Sequence, residues 1–225
     1  MESRSAEAPM PRISEPTVRR LSQYYRVLRE VEAEGRRLVS SHRLGEREGI
    51  TSAQVRKDLS MFGSFGRRGL GYNVAHLRAE ICAILGLDRR WRVAVVGAGH
   101  IGSALVAYRG FAELGFDIVA IYDRDPDRIG RRLGELEVED VGVLPRVAPG
   151  TYDMGVIATP LRAAQDVADL LVAAGVRGIL NFAPRVLQVP ESVTVRTMDM
   201  AVEFESLSFE LSRDRSRRRR NRDGA

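Results

Sequence analysis

The feature that most limits what this chain can fold into is a short apolar run that ends in glycines and hands over to a helix. Trp91-Arg92-Val93-Ala94-Val95-Val96 reads as a buried strand, and Gly97-Ala98-Gly99-His100-Ile101-Gly102 follows directly. Ile101, Leu105 and Tyr108 then recur at helical spacing. A G-x-G-x-x-G between strand and helix is the dinucleotide-binding fingerprint. Gly97 makes the tight turn, Gly99 lets the backbone approach a pyrophosphate, and Gly102 lets helix pack on strand. Ala98, His100 and Ile101 complete the loop, and the helix N-terminus faces the phosphates. The next strand, Ile118–Tyr122, ends in Asp123, 21 positions beyond Gly102 and close to where a ribose-binding carboxylate belongs. Asp123 favours NAD(H) over NADP(H) because it repels a 2′-phosphate; the adjacent Arg124 is the one residue that argues the other way. Strands at 153–158, 178–182 and 193–197 alternate with helical patterns, one of them opened by Thr159-Pro160. That alternation predicts a doubly wound parallel sheet of Rossmann type in an α/β chain.

What precedes this sheet differs in charge. Residues 1–90 hold 17 basic against 11 acidic side chains, whereas residues 91–200 hold 11 against 14. Such asymmetry predicts two domains with different partners. Arginine supplies all the basic residues except Lys57, so the overall charge of +5 says less than its distribution. With 44% hydrophobic residues the chain can fill a core. Its single cysteine, Cys82, cannot form an intramolecular disulfide. No apolar run approaches the roughly 20 residues of a membrane helix, and the polar start, Met1-Glu2-Ser3-Arg4, is unlike a signal peptide. These features predict a cytoplasmic protein.

The basic part reads as a winged helix. After a tail over residues 1–13, expected to be mobile, Ser14-Glu15-Pro16 opens a helix whose stripe is Val18, Leu21, Tyr25, Leu28 and Val31. A short helix from Ser41 to about Glu48 is stopped by Gly49. Thr51 and Gln54 form a capping box for a third helix, with Val55, Leu59 and Phe62 inward and Ser52, Gln54, Arg56, Lys57 and Ser60 outward. Short helix, turn and capped polar helix make a helix-turn-helix; any surface helix is also polar outside, so DNA contact is an expectation. Arg suits guanine, Gln suits adenine, and Ser and Lys suit phosphates. Residues 63–72 interleave glycines with Phe65, Tyr72, Arg67 and Arg68, predicting a hairpin wing with two arginines at its tip for the minor groove. Asn73 caps a last helix carrying Val74, Leu77, Ile81 and Ile84.

Residues for catalysis are few. His42, His76, Lys57 and Cys82 all fall in the first part, and His100 faces the phosphates. No Cys/His spacing suggests a metal. Tyr108 and Asp199 are the candidates for acid and base. An NAD-dependent oxidoreductase with a nucleic-acid-binding appendage is the alternative; the nucleotide reads better as a signal than as a reagent, and no catalytic residue is assigned.

Over residues 12–212 the chain resembles the Rex family of redox-sensing transcriptional repressors. The resemblance rests on Gln54–Ser60 with Phe62-Gly63 through Gly71-Tyr72, on Gly97–Gly102 with Gly110-Phe111, on Asp123-Arg124-Asp125-Pro126, and on Gly178–Pro184. It implies a homodimer reading inverted-repeat operator DNA, Rossmann domains binding NADH or NAD+, and a C-terminal helix exchanged between subunits. NADH is expected to close the dimer and release DNA. The helix-turn-helix then covers about 24–63, and Tyr108 and Asp199 lie near the nicotinamide. Asp199 is the expected sensor of the ring, with Tyr108 and Arg26 as partners. His100 departs from the Asn or Arg often found in the family. The expected domains are 1–88 (winged helix), 89–199 (Rossmann) and 200–225, a dimerisation helix with stripe Met200, Phe204, Leu207 and Leu211 followed by a solvated, disordered basic tail from Arg217 to Arg220.

Overall fold

The computed structural model describes residues 13–63, 65–67 and 70–223, with side chains throughout except at 67 and 214–223. The chain divides into two units, one ending at Arg89 and the other beginning at Arg90.

In the first unit, Ser14 caps α1 (Glu15–Ala33) by accepting from the Thr17 amide. Then come β1 (Leu38–Val39), α2 (Ser41–Glu46), α3 (Ser52–Ser60), β2 (Gly66–Arg67), β3 (Gly71–Asn73) and α4 (Val74–Ile84). The three strands form an antiparallel sheet in the order β1-β3-β2. Thr51 and Asn73 cap α3 and α4 as their positions predict. The core gathers Leu21, Leu28, Leu44, Val55, Leu59, Leu77 and Ile81. The stripe of α1 is turned from the expected phase: Tyr24 and Val27 are buried, Tyr25 is half-buried and Val18 is exposed. Gly45 holds the turn between α2 and α3, because a Cβ there would stand 2.1 Å from the Ile50 carbonyl oxygen.

The second unit runs β4 (Trp91–Val96), α5 (His100–Ala107), α6 (Gly110–Glu113), β5 (Phe116–Asp123), β6 (Arg132–Leu133), β7 (Leu136–Asp140), a 3-10 turn (Val141–Arg146) and β8 (Met154–Ile157). It ends with a second 3-10 turn (Leu161–Ala163), α7 (Ala164–Ala173), β9 (Gly178–Asn181), β10 (Thr194–Thr197) and α8 (Met200–Asp223). The sheet order is β10-β9-β8-β4-β5-β7-β6, parallel except for β6. Strand order therefore reverses between β4 and β8, where ligands of such sheets bind. β4 is apolar on both sides: Ala94 and Val96 pack in a cluster with Leu171 of α7, while Val93 and Val95 pack in the cluster joined by Leu105 of α5. Two expectations fail here. Thr159-Pro160 does not cap a helix: a 3-10 turn intervenes, α7 starts at Ala164, and the Thr159 hydroxyl has no partner. Nor is the chain disordered from Arg217 to Arg220, since α8 continues to Asp223; no Gly or Pro interrupts it, and arginine is a good helix former. The N-terminal tail over residues 1–12 lies outside the described residues. No helix among the described residues is long and apolar enough to cross a membrane.

A buried carboxylate ties the first unit together. Asp58 of α3 accepts from Arg20 Nε (2.6 Å) and an Arg20 terminal nitrogen (2.7 Å), from the Tyr24 hydroxyl (2.9 Å) and from Gln54 Nε2 (2.8 Å). Burial alone would raise this carboxyl, but bonds from Arg20, Gln54 and Tyr24 outweigh it and hold the group below the ordinary range. Burial and the Asp58 contact push the Tyr24 hydroxyl well up. Since folding lowers the Asp58 value, the stability this gives is complete above the unfolded value near pH ~4 and lost as pH falls through the folded value. Asp58→Ala leaves Arg20, Tyr24 and Gln54 without their acceptor and is expected to cost about 3 kcal/mol or more. Hydrogen exchange of α1, α3 and α4 amides measures it, with the second unit as internal control; unchanged protection would refute the role.

Candidate functional site

The glycine loop has the shape its sequence predicts, for reasons that differ at each glycine. Gly97 has φ +107°, and a Cβ there would meet the Ala158 carbonyl oxygen at 2.4 Å. A Cβ on Gly102 would stand 1.9 Å from the Gly97 carbonyl oxygen, so α5 lies directly on the loop. Gly99 is different. Its φ of −77° suits any residue, and the nearest atom to an added Cβ is an Arg128 guanidinium nitrogen at 3.6 Å. Among the described residues nothing requires glycine there, and the open space beside the backbone leaves room for a ligand to pass close. Gly99 begins α5 without any side-chain cap, which leaves the first amides of the helix for an anion. Ahead of the helix, the Ala98 amide is already engaged, donating to Asp123 (2.7 Å). His100 and Ile101 are both exposed at the start of α5.

Beside the loop lies a cavity of about 620 Å³. Gly97 and Asp123 line it from the strand ends, with Arg124, Asp125 and Arg128 on one side, Thr159, Arg162 and Val167 on the other. Its size and mixed lining suit a nucleoside rather than a metal; no metal-ligating cluster occurs among the described residues. The unpartnered Thr159 hydroxyl fits a polar ligand. Asp123 is buried and already engaged. It accepts from the amides of Ala98 (2.7 Å), Arg124 (2.8 Å) and Asp125 (3.0 Å), and from Arg128 (3.0 Å). Burial would raise its carboxyl, but those amide and guanidinium donors hold it below the usual range, so it is ionised at neutral pH. Arg124 is exposed. Sequence reasoning missed Arg128; its place five residues past Asp123 was the available signal.

Tyr108 and Asp199 lie elsewhere, and neither lines the cavity. The Tyr108 ring, 60% exposed, packs edge-on against Phe111 at 4.9 Å and covers Gly110. Asp199 is half-buried and accepts from the Ala201 amide (2.9 Å), capping α8. Arg26, their expected partner, is exposed on α1 in the other unit. Among the described residues, no His, Lys or Tyr lines the cavity.

On α3, Arg56, Lys57 and Ser60 are exposed, and Ser52 is half-buried. Arg56 donates to the Ser41 hydroxyl of α2 (3.2 Å), and the Ser60 hydroxyl donates to the Lys57 carbonyl (2.8 Å). Gln54 departs from expectation: its side chain turns to Asp58 instead of back to the Thr51 amide, so only half of the capping box forms. β2 and β3 form the expected hairpin, in which Gly71 has φ +83° and would carry a Cβ 2.4 Å from the Val39 carbonyl oxygen. Arg68 and the Arg67 side chain lie outside the described residues. On α8, Met200, Phe204, Leu207 and Leu211 are exposed on one face, and Val202 and Phe209 on the opposite one; the side chains of Arg217–Arg220 lie outside the described residues.

Comparison with known proteins agrees with this division. A family described as "Putative DNA-binding protein N-terminus" matches residues 12–60, and one described as "CoA binding domain" matches residues 88–185. The redox-sensing transcriptional repressor Rex of Carboxydothermus hydrogenoformans is 50% identical over 204 residues, covering 90% of this chain and 98% of the relative. That of Thermus thermophilus is 46% identical over 200 residues, covering 89% and 94%. Among solved structures, the repressor RSP with NAD+ and operator DNA superposes with a TM-score of 0.85 at 34% identity, covering 96% of this chain and all of that one. The same repressor with NADH gives 0.82 at 33%, covering 93% and 99%.

The contrast between two glycines yields a test. Gly102→Ala is expected to destabilise the nucleotide unit, because backbone must shift. Gly99→Ala is expected to fold within about 0.5 kcal/mol of wild type yet lose most nucleotide affinity. Thermal melts paired with NADH calorimetry decide it; undiminished affinity in Gly99→Ala would show that no ligand passes over this loop.

Proposed function

The chain belongs to the Rex family of redox-sensing transcriptional repressors, and on that premise we propose that it represses transcription by binding operator DNA as a homodimer and lets go when NADH binds. It acts as a regulator, with the nucleotide as signal. The observation that carries this reading is the likeness, across both units at once, to a solved Rex-family repressor that holds NAD+ and operator DNA. The exposed Arg56, Lys57 and Ser60 of α3 support its use as the reading helix, with Ser52 and Gln54 beside them; Arg67 and Arg68 are assigned to DNA contact on their sequence alone. The uncovered apolar faces of α8 support its use between subunits.

For the nucleotide, Gly97–Gly102 receive the pyrophosphate and Asp123 faces the adenosine ribose. An ionised Asp123 disfavours a phosphate on that ribose, whether the 2′-phosphate of NADPH or the 3′-phosphate of coenzyme A. This supports NAD(H) over either. Tyr108 and Asp199 are assigned to the nicotinamide end, with Asp199 at the root of α8 as the ring sensor.

A band shift on an inverted-repeat operator tests the reading. NADH is expected to weaken DNA binding by roughly 5- to 150-fold, and operator DNA to weaken NADH binding by the same factor. Arg56→Ala is expected to cost about 1–3 kcal/mol in operator affinity and to relax specificity. Asp199→Asn keeps a capping oxygen and removes the charge, so it should retain nucleotide binding while blunting release. An operator complex indifferent to NADH would refute the coupling, and release of the Asp199→Asn variant at the wild-type NADH concentration would remove Asp199 as sensor.

A further inference from the structure

The Asp123 carboxylate has four lone-pair sites and accepts four hydrogen bonds, so a ribose hydroxyl finds no free acceptor until one donor leaves. Three of the donors are backbone amides, of Ala98, Arg124 and Asp125, fixed by the glycine loop and by the turn after β5. The fourth is Arg128, a side chain 43% exposed and the one donor that can swing away. It has a second hold, its Nε lying 3.3 Å from Asp125 Oδ2, which serves as a pivot. Its terminal nitrogen is also the nearest atom to the open side of Gly99, where the loop is shaped for a pyrophosphate.

Resting on the nucleotide reading above, we propose that Arg128 is an exchange residue: it occupies the ribose acceptor in the free protein and passes its guanidinium to the pyrophosphate when the ribose hydroxyls displace it. A planar guanidinium suits both roles, since it pairs with carboxylate and phosphate through the same fork of donors. The exchange makes adenosine recognition conditional on phosphate. A nucleoside must break the Arg128–Asp123 pair without return, whereas a nucleoside diphosphate gives Arg128 a new anion. Free adenosine is thereby rejected by a site that accepts ADP and the dinucleotide.

Arg128→Met, which keeps the stem and removes the charge, tests this with ligands that differ only in phosphate. Adenosine binding, followed by chemical-shift titration, is expected to tighten by up to about fivefold, the scale of a part-exposed ion pair. ADP and NADH binding, followed by calorimetry, is expected to weaken by about tenfold or more, the scale of a charge-assisted hydrogen bond. Arg128→Lys restores part of the ADP loss while still giving up the fork. Opposite signs for adenosine and ADP establish the exchange. Adenosine and ADP weakened together would overturn it in favour of a direct ribose or base contact, and no change in either would place Arg128 outside the site. A wild-type protein that binds neither ADP nor NADH fails differently, because the nucleotide reading itself then falls.

Discussion

Each unit of this protein is organised around a buried carboxylate that accepts four hydrogen bonds. Asp58 joins α1 to α3, and Asp123 joins the end of β5 to the glycine loop after β4. A buried, ionised carboxylate is costly unless its lone pairs are filled. Filling them forces separate segments into register, so the carboxylate sets geometry as much as stability. In both units one side-chain donor comes from a residue in the functional region: Gln54 from the outer part of α3, and Arg128 from the rim of the cavity. The same bonds that stabilise the free protein thus hold a potential ligand-contacting group in reserve.

Local signals in the sequence were legible because the physics behind them is local. Ser14, Thr51 and Asn73 cap helices from adjacent positions, and the glycine loop is specified within six residues. Asp123 was legible through its fixed distance from that loop. The charged network around Asp58 was not, because its partners at 20 and 24 lie more than thirty residues away and look in sequence like ordinary surface positions on a helix. The same blindness produced the wrong phase for α1: Tyr24 reads as polar-tipped and dispensable until its hydroxyl meets Asp58. β6 and β7 went unread because an edge hairpin of Arg132–Asp140 carries mostly charged and exposed residues. Gly45 also escaped notice, since its need for glycine arises from the Ile50 carbonyl and not from its own φ.

The C-terminal helix shows how a pattern can be read correctly and still be incomplete. The stripe Met200, Phe204, Leu207 and Leu211 is present, but Val202 and Phe209 make a second apolar face opposite to it. A helix laid on its own domain has one face to cover. A helix with two apolar faces is suited to being enclosed on both sides rather than docked along one edge.

The cavity beside Asp123 is proposed to hold the adenosine end of the nucleotide, and on that reading it cannot be the sensor. NADH and NAD+ have the same adenosine, the same ribose hydroxyls and the same pyrophosphate, so every contact proposed for Asp123, Arg128 and the glycine loop is common to both. Contacts common to both forms raise affinity for each equally, so they cannot make the protein respond differently to NADH and to NAD+, however tight they are. Discrimination has to come from groups that meet the nicotinamide, whose charge and ring pucker are the only differences. Tyr108 and Asp199 lie outside the cavity, and Asp199 caps the first turn of α8. If Asp199 is the sensor proposed above, a change in the partner of its carboxylate would act on the root of the helix that carries the exposed apolar faces. On the proposed assignment, binding and sensing therefore fall to separate ends of one ligand: the adenosine end sets how much nucleotide is held, and the nicotinamide end alone can tell the two redox forms apart.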